Sequence, residues 1–168
     1  MEIRVILALC VVVGSTMCGK SLSGAARRRV ELLKALIDGV KILKVHMVSM
    51  FEPVQISLSQ SECALMVQIG NHMQSGVSAG VAWQAVKKEA RRKGGQADAL
   101  NLEDHVLLDR FFEHLGESGR EAQEILLSST VESLEQHYDQ ARTKAAEAEK
   151  LYVTLGVLIG LMLALIVI

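Results

Sequence analysis

Residues 127–152 read LSSTVESLEQHYDQARTKAAEAEKLY. Leu127, Val131, Leu134, Tyr138, Ala141, Ala145, Ala148 and Tyr152 recur in alternating steps of four and three, the heptad spacing that lays one apolar seam along a helix. Upstream, Ser118 and Glu121 have the spacing of a capping box, and neither glycine nor proline interrupts the chain from Arg120 to Gly156. The pattern predicts a single helix that starts at the cap and runs to the C-terminus. Its seam feeds into Leu151 to Ile168, eighteen residues without a charge, inside the range of ~17 to 25 that a membrane-crossing helix needs. Small alanines just before this stretch predict close helix approach there.

A second uncharged stretch, Val5 to Gly19, lies near the start, so the two apolar segments bracket a middle that holds 35 of the 37 charged residues. The expected organisation is a transmembrane segment at 1–19, a domain at 20–150 and a transmembrane segment at 151–168. The middle is long enough for one domain with its own core and too short for two. Pro53 is the one proline in the chain, and alternating β-branched runs are missing. An all-α helical bundle flanked by membrane helices is the expected fold.

Within the middle, Val30, Leu33, Ile37, Val40, Leu43 and Met47 give one buried face to a helix from about Ala25 to Met50, which Phe51, Glu52 and Pro53 break. Ser59 and Glu62 predict a capping box for a helix ending near Met73, before Gly76. Ser78 caps a helix through Trp83 and Val86 to Lys93, closed by Gly94 and Gly95, and Asn101 opens another that stops at Gly116.

Net charge is −1, which gives no reason to propose nucleic acid as a partner. The distribution is more telling: residues 20 to 93 carry twelve Lys/Arg and five Asp/Glu, whereas residues 98 to 150 carry five Lys/Arg and thirteen Asp/Glu. Such opposed halves are expected to attract each other within the fold. Lys20, Arg27, Arg28 and Arg29 follow the first apolar segment, and Arg142, Lys144 and Lys150 precede the last. Positive-inside bias then places the domain in the cytoplasm. A cleaved signal peptide is the competing reading of the first segment.

Residues Gly14 to Ser21 read GSTMCGKS and satisfy the phosphate-binding pattern G-x-x-x-x-G-K-[ST]. In a P-loop, Gly14 and Gly19 would let backbone N–H groups cradle phosphates, Lys20 would reach the β and γ phosphates and Ser21 would hold Mg²⁺. That fold needs parallel strands beside the first, and no later stretch offers one. The favoured reading is a membrane helix that ends in small residues and an interfacial lysine.

Other chemistry is thin, and neither an enzyme nor a cofactor is expected. His46, His72, His105, His114 and His137 lack metal-ligand spacing and read as solvated or helix-face histidines, while Asp104 and Asp109 read as helix-surface acids. Cys10 and Cys18 lie in the first apolar segment and Cys63 stands alone as a small core residue, so neither a disulfide framework nor a zinc site is indicated. Gly156 and Gly160 form G-x-x-x-G, a packing face in lipid toward the other segment or neighbouring subunits, a homo-oligomer included.

Two words in the second half carry a family resemblance. The first is Leu115-Gly116-Glu117-Ser118-Gly119-Arg120-Glu121 with Gln123; the second begins Lys150-Leu151-Tyr152 and continues through Leu155 and Gly156 to Gly160. With the basic helix at Arg27 to Arg29, the turn near Pro53 and the Trp83 region, the chain resembles the stage III sporulation protein AB family. Gly119 departs from that pattern, since the family usually has an acid there.

The resemblance implies a structural role in a secretion-like channel complex between mother cell and forespore. It also implies a helical domain similar to that of type II secretion platform proteins, and as partners a cytoplasmic ATPase and other membrane subunits. A P-loop nucleotide-binding protein and a generic membrane-anchored helical adaptor are the other two classes. The first of these is directly testable: ATP retention by the purified full-length chain should be unchanged by Lys20→Ala, and Lys20-dependent retention would instead establish a P-loop.

Overall fold

The computed structural model describes residues 24–92, 95, 97–117 and 119–167, with side chains at 25, 156, 159–161 and 163–167 left out of the description. The apolar stretch at 1–19, the residues Gly14, Gly19, Lys20 and Ser21, and Ser118 therefore lie outside the described residues. Among the described residues all regular structure is helical and no strand occurs, as the periodicity predicts. None of the described helices is long and apolar enough to cross a membrane.

The helices in chain order are α1 (Gly24–Lys44), which runs on into a π-helical turn (Val45–Ser49), α2 (Val54–Ser59), α3 (Ala64–Met73), α4 (Ala79–Ala90), α5 (Leu102–His114) and α6 (Arg120–Val167). The chain divides into two compact units. One spans residues 31–139; the described residues 24–30 and 140–167 belong to the other.

Pro53 ends the first helix as expected, and the widened turn shows how. Met50 N–H reaches Val45 O at 3.3 Å and Glu52 N–H reaches His46 O at 3.1 Å, five and six residues back. The break is sealed by His46 Nδ1 against a Glu52 carboxylate oxygen at 2.8 Å. Phe51, at the corner, takes φ +59, a left-handed conformation that costs a non-glycine residue about 1 to 2 kcal/mol.

The expected capping box at Ser59 and Glu62 is not formed. A short helix, α2, occupies Val54–Ser59, and the Ser59 hydroxyl donates to Ile56 O at 2.8 Å, inside its own helix. Helix α3 begins later, after Cys63, with no side-chain cap. The physical reason is Pro53, whose fixed φ suits the position before a new helix and starts one at once.

Ser78 does cap α4, accepting from Val81 N–H, but α4 closes at Ala90 rather than Lys93. Ala97 N–H folds back onto Ala90 O at 2.8 Å and takes the carbonyl that a longer helix would use.

In the 31–139 unit the buried side chains include Leu33, Leu36, Val40 and Leu43 of α1, Leu58, Leu65, Met66 and Ile69 of α2 and α3, Trp83 of α4, Leu108, Phe111 and Phe112 of α5, and Leu127 and Leu134 of α6. The heptad seam is thus real at its first half: Leu127 and Leu134 are fully buried while Val131 and Tyr138 are partly so. Helices α1 and α6 run antiparallel there, since Lys41 Nζ meets Glu135 at 2.6 Å and Lys44 Nζ meets the Ser128 hydroxyl, nearer the start of α6, at 2.9 Å. In the other unit Ala141 is buried, Ala145 and Ala148 are half-buried, and Arg27 pairs with Glu149 at 2.5 Å.

The opposed charges of the two sequence halves do meet across helices, at Arg27–Glu149, Lys41–Glu135, Lys44–Glu124 and Lys87–Asp109. The first three are surface pairs, worth up to about 1 kcal/mol each, so they select the register and the apolar seam supplies the adhesion.

Candidate interaction site

Helix α5 carries most of the polar structure. Asn101 closes a capping box with Asp104: Asp104 N–H donates to Asn101 Oδ1 at 2.8 Å, and Asn101 N–H donates back to Asp104 Oδ2 at 3.0 Å. Asp104 has no solvent exposure. Its Oδ1 lies 2.7 Å from His137 Nδ1 on α6, and because a carboxylate can only accept, Nδ1 carries the hydrogen. The reading of Asp104 as a surface acid is therefore corrected, and so is that of His137 as a solvated histidine. A helix start that must be capped from within leaves its capping carboxylate pointing at the neighbouring helix.

One turn further on, Asp109 gathers three donors from α4. Trp83 Nε1 donates to Oδ1 at 2.6 Å, Lys87 Nζ to both oxygens at 2.6 Å, and Gln84 Nε2 to Oδ1 at 3.4 Å. Partial burial works to raise the Asp109 pKa, but the hydrogen bonds from Lys87 and Trp83 and the Lys87 charge outweigh it and hold the carboxyl below its usual range. Trp83 also stacks on Phe112, with centroids 5.2 Å apart. The indole that fills the core thus has its one polar atom satisfied by α5.

His105 stacks near the other side of this cluster, 6.4 Å from Trp83 between centroids. It is 3% exposed, and its Nδ1 has no hydrogen-bond partner among the described residues. Its placement overturns the helix-face reading. Burial lowers its pKa most, the Arg91 and Lys87 charges lower it further, and Asp109 and Asp104 oppose them.

The first family word forms the α5–α6 turn. Leu115 is buried, and Gly116 takes φ +87, a conformation that glycine adopts without the steric penalty of a Cβ. Gln123, 4% exposed, accepts from Gly116 N–H at 3.0 Å and donates to His114 O at 3.0 Å. One amide side chain on α6 thereby satisfies the backbone at the end of α5. The Arg120 guanidinium lies 4.5 Å from the centroid of the Phe51 ring, while Glu121 is exposed.

Of the second word, Leu151, Tyr152 and Leu155 are exposed on α6, and Gly156 and Gly160 fall within that helix. Cys63 is a core residue, with burial pushing its thiol up despite nearby backbone hydrogen bonds. Among the described residues no cluster of three or more His, Cys, Asp or Glu is placed to hold a metal ion. Between the start of α4 and the end of α5 lies a hollow of about 400 Å³, lined by Ser78, Gly80, Val81 and Gln84 on one side and Asp109, Glu113 and Glu117 on the other. Sequence reasoning missed it, although Gly80 is its signal: a Cβ there would meet Glu113 Cα at 3.3 Å, so α4 and α5 approach closely at that point.

The features together define an all-helical protein whose buried polar side chains lock one helix to the next. A family model for stage III sporulation protein AB matches residues 4–168, and the chain belongs to that family. No curated protein and no solved structure matches it.

The His105 environment gives a pH prediction. Its folded pKa lies below the ordinary value of about 6.5, so the unfolded chain takes up the proton first as pH falls. The corresponding stability is complete above about pH 6.5 and is lost as pH drops toward the folded pKa. The unfolding midpoint followed by circular dichroism should therefore fall more steeply between about pH 7 and pH 5.5 in the wild type than in His105→Phe. Parallel pH profiles would contradict this assignment.

Proposed function

We propose that the chain is a membrane-anchored structural component of the sporulation channel between mother cell and forespore, a platform that docks a cytoplasmic ATPase. Family membership over residues 4–168 supports the sporulation role. In this reading 1–19 and 151–168 are the anchors, 20–150 is the cytoplasmic domain, and the protein sits on the mother-cell side of the engulfing membrane. The membrane assignment rests on sequence: Val5 to Gly19 and Leu151 to Ile168 carry no charge, and basic residues flank both.

The observation that carries the mechanical part is the continuity of α6, unbroken from Arg120 to Val167. A helix is stiff along its axis, and this one is tied to α5 through Asp104–His137 and Gln123 and to α1 through Lys41–Glu135. A partner that shifts the domain would move the start of the same helix whose end is the anchor. The domain then acts as the handle and α6 as the lever, passing the ATPase's conformational changes to membrane subunits of the complex. Gly156 and Gly160 are the residues through which those subunits, or a second copy, would pack on the anchor.

Inserting Gly-Pro after Ala145 breaks the helix outside the 31–139 unit. Sporulation should fail while the protein still fractionates with membranes. Normal sporulation in that strain would reject the lever.

A further inference from the structure

We propose that His105 is a proton-operated latch: neutral, it leaves the Asp109 carboxylate to α4, and protonated, it draws that carboxylate to its own helix and loosens α4 from α5. The device goes beyond the platform role and does not depend on what docks there.

The hold that it acts on is concentrated in one group. Trp83, Gln84 and Lys87 of α4 all donate to Asp109 of α5, so a single carboxylate carries three of the bonds that join these helices. Losing that carboxylate would free the polar side of α4 at once.

A competitor for it sits one turn away. His105 precedes Asp109 by four residues on α5, the spacing that sets two side chains beside each other on one helix face. The ring is 3% exposed, and its Nδ1 has no hydrogen-bond partner among the described residues. Buried polar atoms are nearly always bonded. Here the neighbouring acceptor exists, and α4 occupies it.

The charges around the ring set the direction of the change. Lys87 and Arg91 act on it from α4, and Asp104 and Asp109 from α5. Asp104 is already bonded to His137 of α6 and to the Asn101 backbone. A proton on His105 therefore gathers three cations around Asp109, two of them on α4. The repulsion acts between the helices, whereas the new His105–Asp109 attraction lies within α5. Both effects drive α4 away. Burial first, and then the Arg91 and Lys87 charges, hold the His105 pKa below its ordinary value of about 6.5 while the helices are closed. Opening releases it from both, so the open form binds the proton more tightly and is favoured as pH falls below about 6.5.

The chain carries its own reporter, for Trp83 is its one tryptophan and has no solvent exposure. The test follows the full chain, in nanodiscs of zwitterionic lipid, from about pH 8 to pH 5. Trp83 emission and its quenching by acrylamide are read beside far-ultraviolet circular dichroism. Emission should shift to the red and quenching should rise in a reversible step below about pH 6.5, with helical content unchanged. His105→Phe should abolish the step and His137→Gln should keep it. Lys87→Met, which removes both a competitor for Asp109 and a repelling charge, should move the midpoint to higher pH. An accessibility that stays flat in the wild type overturns the latch, as does the same step in His105→Phe. So does a Trp83 change that appears only together with loss of helix, or a Lys87→Met midpoint that does not move.

Discussion

A carboxylate without solvent exposure has to be satisfied by the protein itself, and Asp104 is satisfied from two directions. The Asn101 backbone N–H supplies one hydrogen bond from the start of its own helix, and His137 supplies another from α6. Losing one partner of such a buried group costs about 3 to 5 kcal/mol, because the other is left desolvated and uncompensated. The arrangement therefore fixes where α5 begins and which turn of α6 faces it. His105, the next residue, then comes to lie against Trp83, whose indole in turn reaches Asp109 one turn further along α5.

Around this polar spine the adhesion is apolar. Leu33, Leu36, Val40 and Leu43 of α1 and Leu127 and Leu134 of α6 are buried in the same unit. The lysine–glutamate pairs between those two helices remain exposed. Exposed pairs hold little energy but penalise wrong registers through like-charge contacts. The swing from a basic first half to an acidic second half is thus the sequence form of an antiparallel helix pairing.

The long helix, its seam and the breaks at Pro53 and Gly116 were legible because periodicity and backbone restriction are local properties. Caps were legible only where a side chain had no rival: Ser78 and Asn101 cap as expected, whereas Ser59 is drawn into the helix that Pro53 starts. Burial of Asp104 and His105 was not legible, since a capping acid and a lone histidine look the same in sequence whether a neighbouring helix covers them or not. The roles of Gly116 and Gln123 sat inside a recognisable family word, yet their hydrogen bonds join residues seven and nine apart across a turn. Spacing alone assigns no partner at such a distance.

If Asp104 is the point on which the bundle is registered, its bond to His137 must be worth more than either side chain's packing. The direct measurement is a double-mutant cycle of Asp104→Asn and His137→Gln on the full chain, with urea unfolding followed by circular dichroism. The account predicts that the double variant loses less stability than the sum of the singles, with a coupling of about 1 to 3 kcal/mol. Additive losses, with a coupling near zero, would contradict it.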